Sequence, residues 1–168
     1  MAKKRQKFHT KICDVLGIEY PIIQAGMGGF SDPPLVIAVS EAGGLGTLGG
    51  AVYEPDSLDQ AIREIRKGTS KPFAIDLLLP DSLKDMKGVS KEGLMGYIPD
   101  NYFGYAKELK KKFDIPDDFH STRGGALWTM EGTRQLLQVC LDNKVPVIAA
   151  GLGRLGWVMP ECKKRGIK

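Results

Sequence analysis

The chain has 168 residues, of which 42% are hydrophobic and 26% charged, and its formal net charge at pH 7 is +4. This composition is typical of a globular protein with one core, and it excludes a disordered chain and a membrane protein. Much of the positive charge lies near the two ends of the chain, and Phe8 is the one aromatic residue near the first basic cluster, so the sequence predicts no nucleic-acid partner. No apolar segment follows the basic start to mark a signal peptide.

The segment of residues 20–29 passes from an apolar run into a glycine-rich turn. Pro21, Ile22 and Ile23 are typical of a strand that is covered on both faces, and the sequence Gly-Met-Gly-Gly follows them. Glycines let backbone N–H groups approach a ligand closely, but they are also the usual residues of a tight turn. The segment therefore predicts either the mouth of a ligand site or a plain connection between a strand and a helix.

Strand-like and helix-like segments alternate along the rest of the chain, and apolar spacing gives each helix a buried face. The predicted strands cover residues 20–24, 45–48, 72–79 and 145–150. The predicted helices begin near Asp32, Glu54, Thr129 and Trp157, and their glycine stops are Gly43, Gly68 and Gly166. The expected buried residues are Leu35, Ala38, Val39 and Ala42 in the first helix, Leu58, Ala61, Ile62 and Ile65 in the second, and Leu136, Val139 and Cys140 in the third.

Four strand–helix units in succession predict an α/β fold with a parallel sheet, either an open doubly wound sheet or part of a barrel. The long segment from Pro80 to Leu127 interrupts the short connections that such folds use. Segments of this length are typically binding loops or lids, and the alternative is a solvent-exposed decoration. Within it, Tyr102, Tyr105, Ala106, Leu109 and Phe113 keep helical spacing, which predicts one amphipathic helix.

Few polar residues are candidates for chemistry. Asp76 interrupts an apolar strand, which indicates that its carboxylate faces a ligand at the end of that strand. His9 and His120 lie in polar surroundings and are predicted to be surface histidines. Two stretches match G-x-G-x-x-G, and both are weak dinucleotide signals. Residues 44–49 follow a helix, which reverses the required order, whereas residues 151–156 follow a strand and precede a helix but have no acidic residue about 20 positions further on. The second stretch predicts either a backbone contact with a phosphate or ring, or a simple turn.

The three cysteines, Cys13, Cys140 and Cys162, form no C-x-x-C pair. Their number and spacing predict reduced thiols in a cytoplasmic protein and no metal site.

Several motifs together resemble the nitronate monooxygenases, formerly called 2-nitropropane dioxygenases. The matching stretches, in chain order, are residues 12–27 (Ile-Cys-Asp-Val-Leu-Gly-Ile-Glu-Tyr-Pro-Ile-Ile-Gln-Ala-Gly-Met), 39–49, 73–80 and 145–153. The resemblance implies the first four βα units of an FMN-binding (β/α)₈ TIM barrel, as one partial barrel domain over residues 1–168 with a lid-like insertion at about 80–127. It also implies that the cofactor contacts fall on Ala25, Gly26, Met27 and Asp76, and on Gly151.

The activity that the resemblance implies is the oxidation of an alkyl nitronate or nitroalkane by FMN and molecular oxygen. The family's Gly-Gly-His segment has no match here, so the catalytic residue is unknown. The resemblance extends to flavin-dependent enoyl-acyl-carrier-protein reductases, which use NAD(P)H, and these are the first alternative. The second alternative is a non-catalytic half-barrel fragment. For the partial barrel we expect self-association through its open sheet edges, at residues 20–24 and 145–150.

Overall fold

The computed structural model describes residues 8–79, 96, 98–116, 130–153 and 155–168. The chain divides into two compact units, one formed by Met1–Leu83 with Arg123–Lys168 and the other by Lys84–Thr122. The expected helix start at Thr129 and most of the predicted insertion lie outside the described residues. The interpretation of that insertion as a lid therefore stays a prediction.

The larger unit is built on a parallel sheet of three strands in the order β1-β2-β3. The strands are β1 (Gly46–Gly49), β2 (Phe73–Leu78) and β3 (Val147–Gly151). They correspond to the second, third and fourth predicted strands, so these three predictions are confirmed within a few residues at each end. The backbone of Lys168 also pairs with β3, because its N–H donates to Pro146 O at 3.1 Å and its C=O accepts from Ile148 N at 2.8 Å.

The first predicted strand, residues 20–24, is wrong as an extended strand. It makes a single parallel bridge, between Ile23 and Leu45, on the free edge of β1. Ile22 and Ile23 are 62% and 53% exposed, so the run is not covered on both faces as the apolar pattern predicted. Its direction is nevertheless that of a first parallel strand.

Among the described residues of this unit, five α-helices accompany the sheet, and their ends follow sequence signals. They are α1 (Lys11–Leu16), α2 (Pro33–Glu41), α3 (Pro55–Gly68), α5 (Met130–Asp142) and α6 (Met159–Arg165), with α4 (Asp100–Lys112) belonging to the smaller unit. The Asp32 side chain caps α2 by accepting from Leu35 N, and Glu54 and Ser57 form a capping box at α3. Gly166 ends α6 in the left-handed conformation.

One hydrophobic cluster joins α2, α3, α5 and α6 to one face of the sheet. Side chains alternate along a strand, and Phe73, Ile75 and Leu77 of β2 belong to this cluster, whereas Ala74 belongs to another. The four helices therefore cover the same face. A barrel places its helices on the outer face alone, whereas a doubly wound sheet carries helices on both faces.

Helix α1 covers one end of the opposite face of the sheet. The sequence pattern did not predict this helix. Cys13 and Leu16 of this helix pack with Ile18 against the sheet, and all three are less than 9% exposed. Their sheet partners are Leu45, Ala74 and Val147. The helix has only six residues, which is too short for apolar periodicity to reveal it.

The buried face of α3 is confirmed, since its buried residues are the four that the sequence predicted, and Leu136 and Cys140 of α5 are buried as well. The predicted face of α2 is wrong. Its buried residues are Pro33, Val36 and Ser40, while Ala38 and Ala42 are exposed. The reason is that α2 packs a small residue, Ser40, against the backbone of β1, where its hydroxyl accepts from Gly46 N at 3.2 Å.

The smaller unit contains α4 (Asp100–Lys112), which confirms the helix predicted from the spacing of Tyr102 to Phe113. None of the residues of α4 is buried, and the exposed fractions of Tyr102, Tyr105 and Phe113 are 60%, 61% and 64%.

Candidate functional site

The glycine-rich turn of residues 25–29 lies beside the carboxyl end of β1, and hydrogen bonds of Ser31 hold it there. The Ser31 hydroxyl accepts from Met27 N at 2.7 Å and from Gly49 N at 3.0 Å, and it donates to Met27 O at 2.9 Å. Ser31 is 1% exposed, so these bonds are shielded from water. The turn therefore has a defined place at the end of the sheet where ligands of parallel α/β proteins bind.

The side chain of Gln24 forms hydrogen bonds at the beginning of the same turn. Its side-chain Nε2 donates to Ala25 O at 2.9 Å and to Thr47 O at 3.0 Å. Its Oε1 accepts from Thr47 N at 3.4 Å. Two polar side chains thus connect the turn to β1 at alternate residues of that strand.

Gly26 and Asp76 lie in direct contact, which brings two of the predicted site residues together. A Cβ on Gly26 would overlap Cβ of Asp76 and lie 2.5 Å from its Oδ2 and 2.8 Å from its Cγ. Gly28 is similarly tight, since a Cβ there would lie 2.7 Å from Cγ1 of Val52. Close packing of the turn therefore requires glycine at both positions. Tight packing explains why these two positions lack side chains. It gives no role to their backbone N–H groups.

Four of the five backbone N–H groups of the turn have no acceptor within the described part of the chain. They are those of Ala25, Gly26, Gly28 and Gly29. Met27, by contrast, uses its N–H and its C=O on Ser31. Since backbone donors are normally paired with protein, water or a ligand, the turn offers a row of free donors.

Asp76 occupies the middle strand at the level of this turn. It pairs in register with Gly49 of β1 and Ala149 of β3, and it shares a sheet face with Ala74 rather than with the helix-covered Ile75 and Leu77. The carboxylate is half-buried, and burial raises the pKa of the Asp76 carboxyl group above its ordinary value. No described residue donates a hydrogen bond or an ion pair to it. A carboxylate that is partly desolvated without a protein partner is suited to holding a polar ligand.

Gly151 ends β3 and lies opposite Leu78, two residues beyond Asp76 along the middle strand. A Cβ on Gly151 would meet only Cδ2 of Leu78, at an ordinary 3.7 Å, so packing does not require glycine there. The next residue, Leu152, is 67% exposed and has a positive φ of 64°. Such a φ is unusual for a residue with a side chain, and it marks the turn after β3 as a constrained connection.

Of the two histidines, the structure describes His9 alone. Nε2 of His9 contacts Oδ1 of Asp14 at 2.7 Å, near the start of α1. His120 lies outside the described residues. The three cysteines are free and buried, and burial raises the pKa of the Cys140 thiol to about 12. Among the described residues no group of three or more acidic, histidine or cysteine side chains could hold a metal ion, and no helix is long and apolar enough to cross a membrane.

The structure adds two residues that the sequence reading did not single out, Gln24 and Ser31. Gln24 stands at the end of an apolar run, and that position could have marked it. Ser31 follows the exposed Phe30 in a polar turn, and no local pattern distinguishes it from any other turn serine.

Comparison with solved structures places the larger architecture in a known class. FabK from Thermotoga maritima matches with a TM-score of 0.63 and 30% sequence identity, over 96% of this chain and 36% of that protein. A nitroalkane oxidase from Streptomyces ansochromogenes matches with a TM-score of 0.61 and 26% identity, over 94% of this chain and 41% of that protein. The protein is thus an α/β protein with a parallel sheet, similar to TIM-barrel enzymes.

The family follows from the sequence comparison. The model of the nitronate monooxygenase family matches residues 9–154, so the chain belongs to that family. A probable nitronate monooxygenase of Staphylococcus saprophyticus subsp. saprophyticus is 45% identical over 74 residues, which are 44% of this chain and 21% of the relative. A protein of the same description from Staphylococcus aureus (strain JH9) is 43% identical over 71 residues. The chain matches about a fifth of the length of these curated relatives.

Proposed function

We propose that this chain forms part of an FMN-dependent oxidoreductase that oxidises alkyl nitronates with molecular oxygen. The observation that carries the proposal is the family match over residues 9–154, which includes the whole glycine turn and all three described strands. We further propose that the described sheet belongs to the first four βα units of a (β/α)₈ barrel. The placement of four helices on a single face supports this architecture.

The residues of the turn fit a flavin. Ala25, Gly26 and Gly28 offer free backbone donors, and a flavin ring carries carbonyl oxygens and ring nitrogens that accept hydrogen bonds. Asp76 offers a half-buried carboxylate in contact with the same turn, suited to a ring N–H or a ribityl hydroxyl group. Met27 is 42% exposed beside these donors and presents an apolar surface to the ring. Gly151 would bring the backbone of the neighbouring strand to the same ligand.

The protein's share of the reaction is positioning and electrostatics. FMN, when bound, supplies the two-electron chemistry that connects nitronate oxidation to oxygen reduction. The donors of the turn would stabilise negative charge that develops on the ring edge, because they are fixed before the reaction begins. The glycines of the turn would let the backbone lie close to the ring, and the free thiols suit the reducing conditions of the cytoplasm.

One alternative has a specific observation in its favour. The likeness to FabK, at 30% identity over 96% of the chain, supports an NAD(P)H-dependent enoyl-acyl-carrier-protein reductase built on the same sheet. The two functions differ in electron donor. A nitronate oxidase takes electrons from its substrate, whereas the reductase needs a nicotinamide nucleotide.

The test is an assay of the gene product that contains this sequence, expressed from its own reading frame and supplied with FMN. We expect oxygen consumption with propyl-2-nitronate in the absence of NADH. Turnover of an enoyl thioester that depends strictly on NADH, without nitronate oxidation, would assign the protein to the reductase function. Absence of both activities from a protein that binds no flavin would favour a non-catalytic role.

A further inference from the structure

The strand β1 has one edge paired with β2 and another edge that faces the segment before the glycine turn. On this second edge, Leu45 is paired with main chain in the ordinary parallel manner. Its N–H donates to Ile22 O at 2.9 Å, and its C=O accepts from Gln24 N at 3.0 Å. Two positions further along the same edge, at Thr47 and Gly49, the partner is no longer backbone.

Side chains replace the missing strand at these two positions. The primary amide of Gln24 acts on Thr47 as a peptide group would, because Nε2 donates to Thr47 O at 3.0 Å and Oε1 accepts from Thr47 N at 3.4 Å. The Ser31 hydroxyl then accepts from Gly49 N at 3.0 Å. The hydrogen-bond row that begins with backbone at Leu45 therefore continues with side chains to the end of β1.

Because side chains pair with this edge of β1, the main chain of the neighbouring segment is not needed there. Buried backbone groups are normally paired. If a strand continued beside β1, its own N–H groups would form hydrogen bonds with that edge. Because Gln24 and Ser31 satisfy Thr47 and Gly49, the main chain can leave the sheet after Gln24. The N–H groups of Ala25, Gly26 and Gly28 are then free, which the described contacts confirm.

We propose that Gln24 and Ser31 are positioning residues that occupy the free edge of β1 in place of a strand and so hold the donors of the glycine turn toward a bound flavin. The identity of the ligand rests on the proposed function, whereas the edge pairing does not. Neither side chain needs to touch the ligand. Each acts through the turn, Gln24 from its beginning and Ser31 from its end.

The experiment uses two variants and two controls of the full chain. Gln24→Met removes the amide while keeping an unbranched side chain of similar length, and Ser31→Ala removes the hydroxyl. The control Ser57→Ala removes a serine that also bonds twice to backbone, at the capping box of α3. The control Thr47→Val removes the Thr47 hydroxyl, which is buried without a partner, and leaves the backbone bonds of Thr47 in place.

Amide hydrogen exchange without flavin reports the edge pairing, and fluorescence titration with FMN reports the ligand. We expect exchange to become about fivefold faster or more at Thr47 in Gln24→Met, and at Gly49 and Met27 in Ser31→Ala. The dissociation constant for FMN should rise by a similar factor in both variants. Neither control should change these values, although Ser57→Ala should lower the melting temperature.

Two results would overturn the inference. One is unchanged exchange at Thr47, Gly49 and Met27, which would mean that the side chains do not maintain the edge. The other is faster exchange at these amides with an unchanged dissociation constant for FMN. If the gene product that contains this sequence binds no FMN, the proposed function fails, and the exchange rates still decide whether Gln24 and Ser31 hold the turn.

Discussion

At the scale of single residues, Asp76 gives the sharpest test of the site. It stands in a strand whose neighbours Ile75 and Leu77 are 0% and 1% exposed, yet its own carboxylate is half-buried and no described residue pairs with it. A structural carboxylate at such a position would have a cation or several donors around it. Since no described residue supplies such partners, we propose that Asp76 contacts a ligand.

We therefore expect Asp76→Leu to separate stability from flavin binding. Leucine has nearly the shape of aspartate and needs no solvation, so the melting temperature should stay the same or rise. The loss of a charged hydrogen-bond partner should weaken FMN binding by about tenfold or more. Thermal melts and FMN titration of the same preparation measure both. A variant that melts well below the wild type and keeps full affinity would assign Asp76 to the fold.

The pH dependence of stability provides an independent check on Asp76. Its pKa in the folded chain is raised above the ordinary 3.8 by burial, so the folded state favours the protonated carboxyl group. The stability that this group contributes is fully present below pH 3.8 and is lost as the pH rises through the raised value. Asp76→Asn cannot lose a proton.

The melting temperature of Asp76→Asn minus that of the wild type should therefore increase as the pH rises from below 3.8 toward neutrality. Thermal melts at a series of pH values measure this difference. The same series on Asp56→Asn, at an exposed carboxylate on α3, supplies the control. A difference that is constant with pH would contradict a raised pKa in the folded state.

At the scale of elements, the helix α2 lies against β1 through glycine rather than through an apolar stripe. A Cβ on Gly46 would overlap the carbonyl oxygen of Val36 and lie 2.9 Å from Oγ of Ser40. The hydrogen bond from Gly46 N to the Ser40 hydroxyl fixes the same contact. The helix thus approaches the strand so closely that backbone touches backbone.

Gly46→Ala should consequently destabilise the fold by about 1–3 kcal/mol, as overpacking of a tight core does. The matched control is Gly156→Ala, where a Cβ would meet nothing within 4 Å. Urea unfolding followed by circular dichroism gives the free energy of unfolding of each variant. Equal free energies in the two variants would mean that α2 can move away from β1 at little cost.

At the scale of the whole molecule, the described sheet has an exposed apolar edge at residues 20–24. The N–H and C=O of Ile23 make no backbone hydrogen bond within the described chain, and the side chains of Ile22 and Ile23 are more than half exposed. Open apolar edges of this kind pair with other strands. We propose that the chain associates through this edge when nothing else covers it.

A charge on the edge should reduce that association. Ile22→Lys places an ammonium group where the side chain is 62% exposed, and Val15→Lys makes the same kind of change on α1, where the side chain is 53% exposed. Light scattering during size-exclusion chromatography should give a smaller average mass for Ile22→Lys than for the wild type, and no reduction for Val15→Lys. A wild-type chain that remains monomeric as its concentration rises would contradict association through the edge.

The sequence by itself determined the order of β1, β2 and β3 and of the helices between them, the parallel sheet and the buried face of α3, and its motifs indicated the family. The order of these elements and the face of α3 follow from short-range signals, namely apolar periodicity, caps and glycine stops, which lie within a few residues of the elements they specify. Tertiary structure decided which face of α2 is buried, the presence of α1, and the roles of Gln24 and Ser31. Each depends on packing against a strand outside the element itself, which the local sequence pattern does not contain. Gly26 depends on both the local sequence and the tertiary structure. The glycine-rich sequence around it predicts a turn. Only the register of β2 places Asp76 against Gly26 and so explains why no side chain fits there.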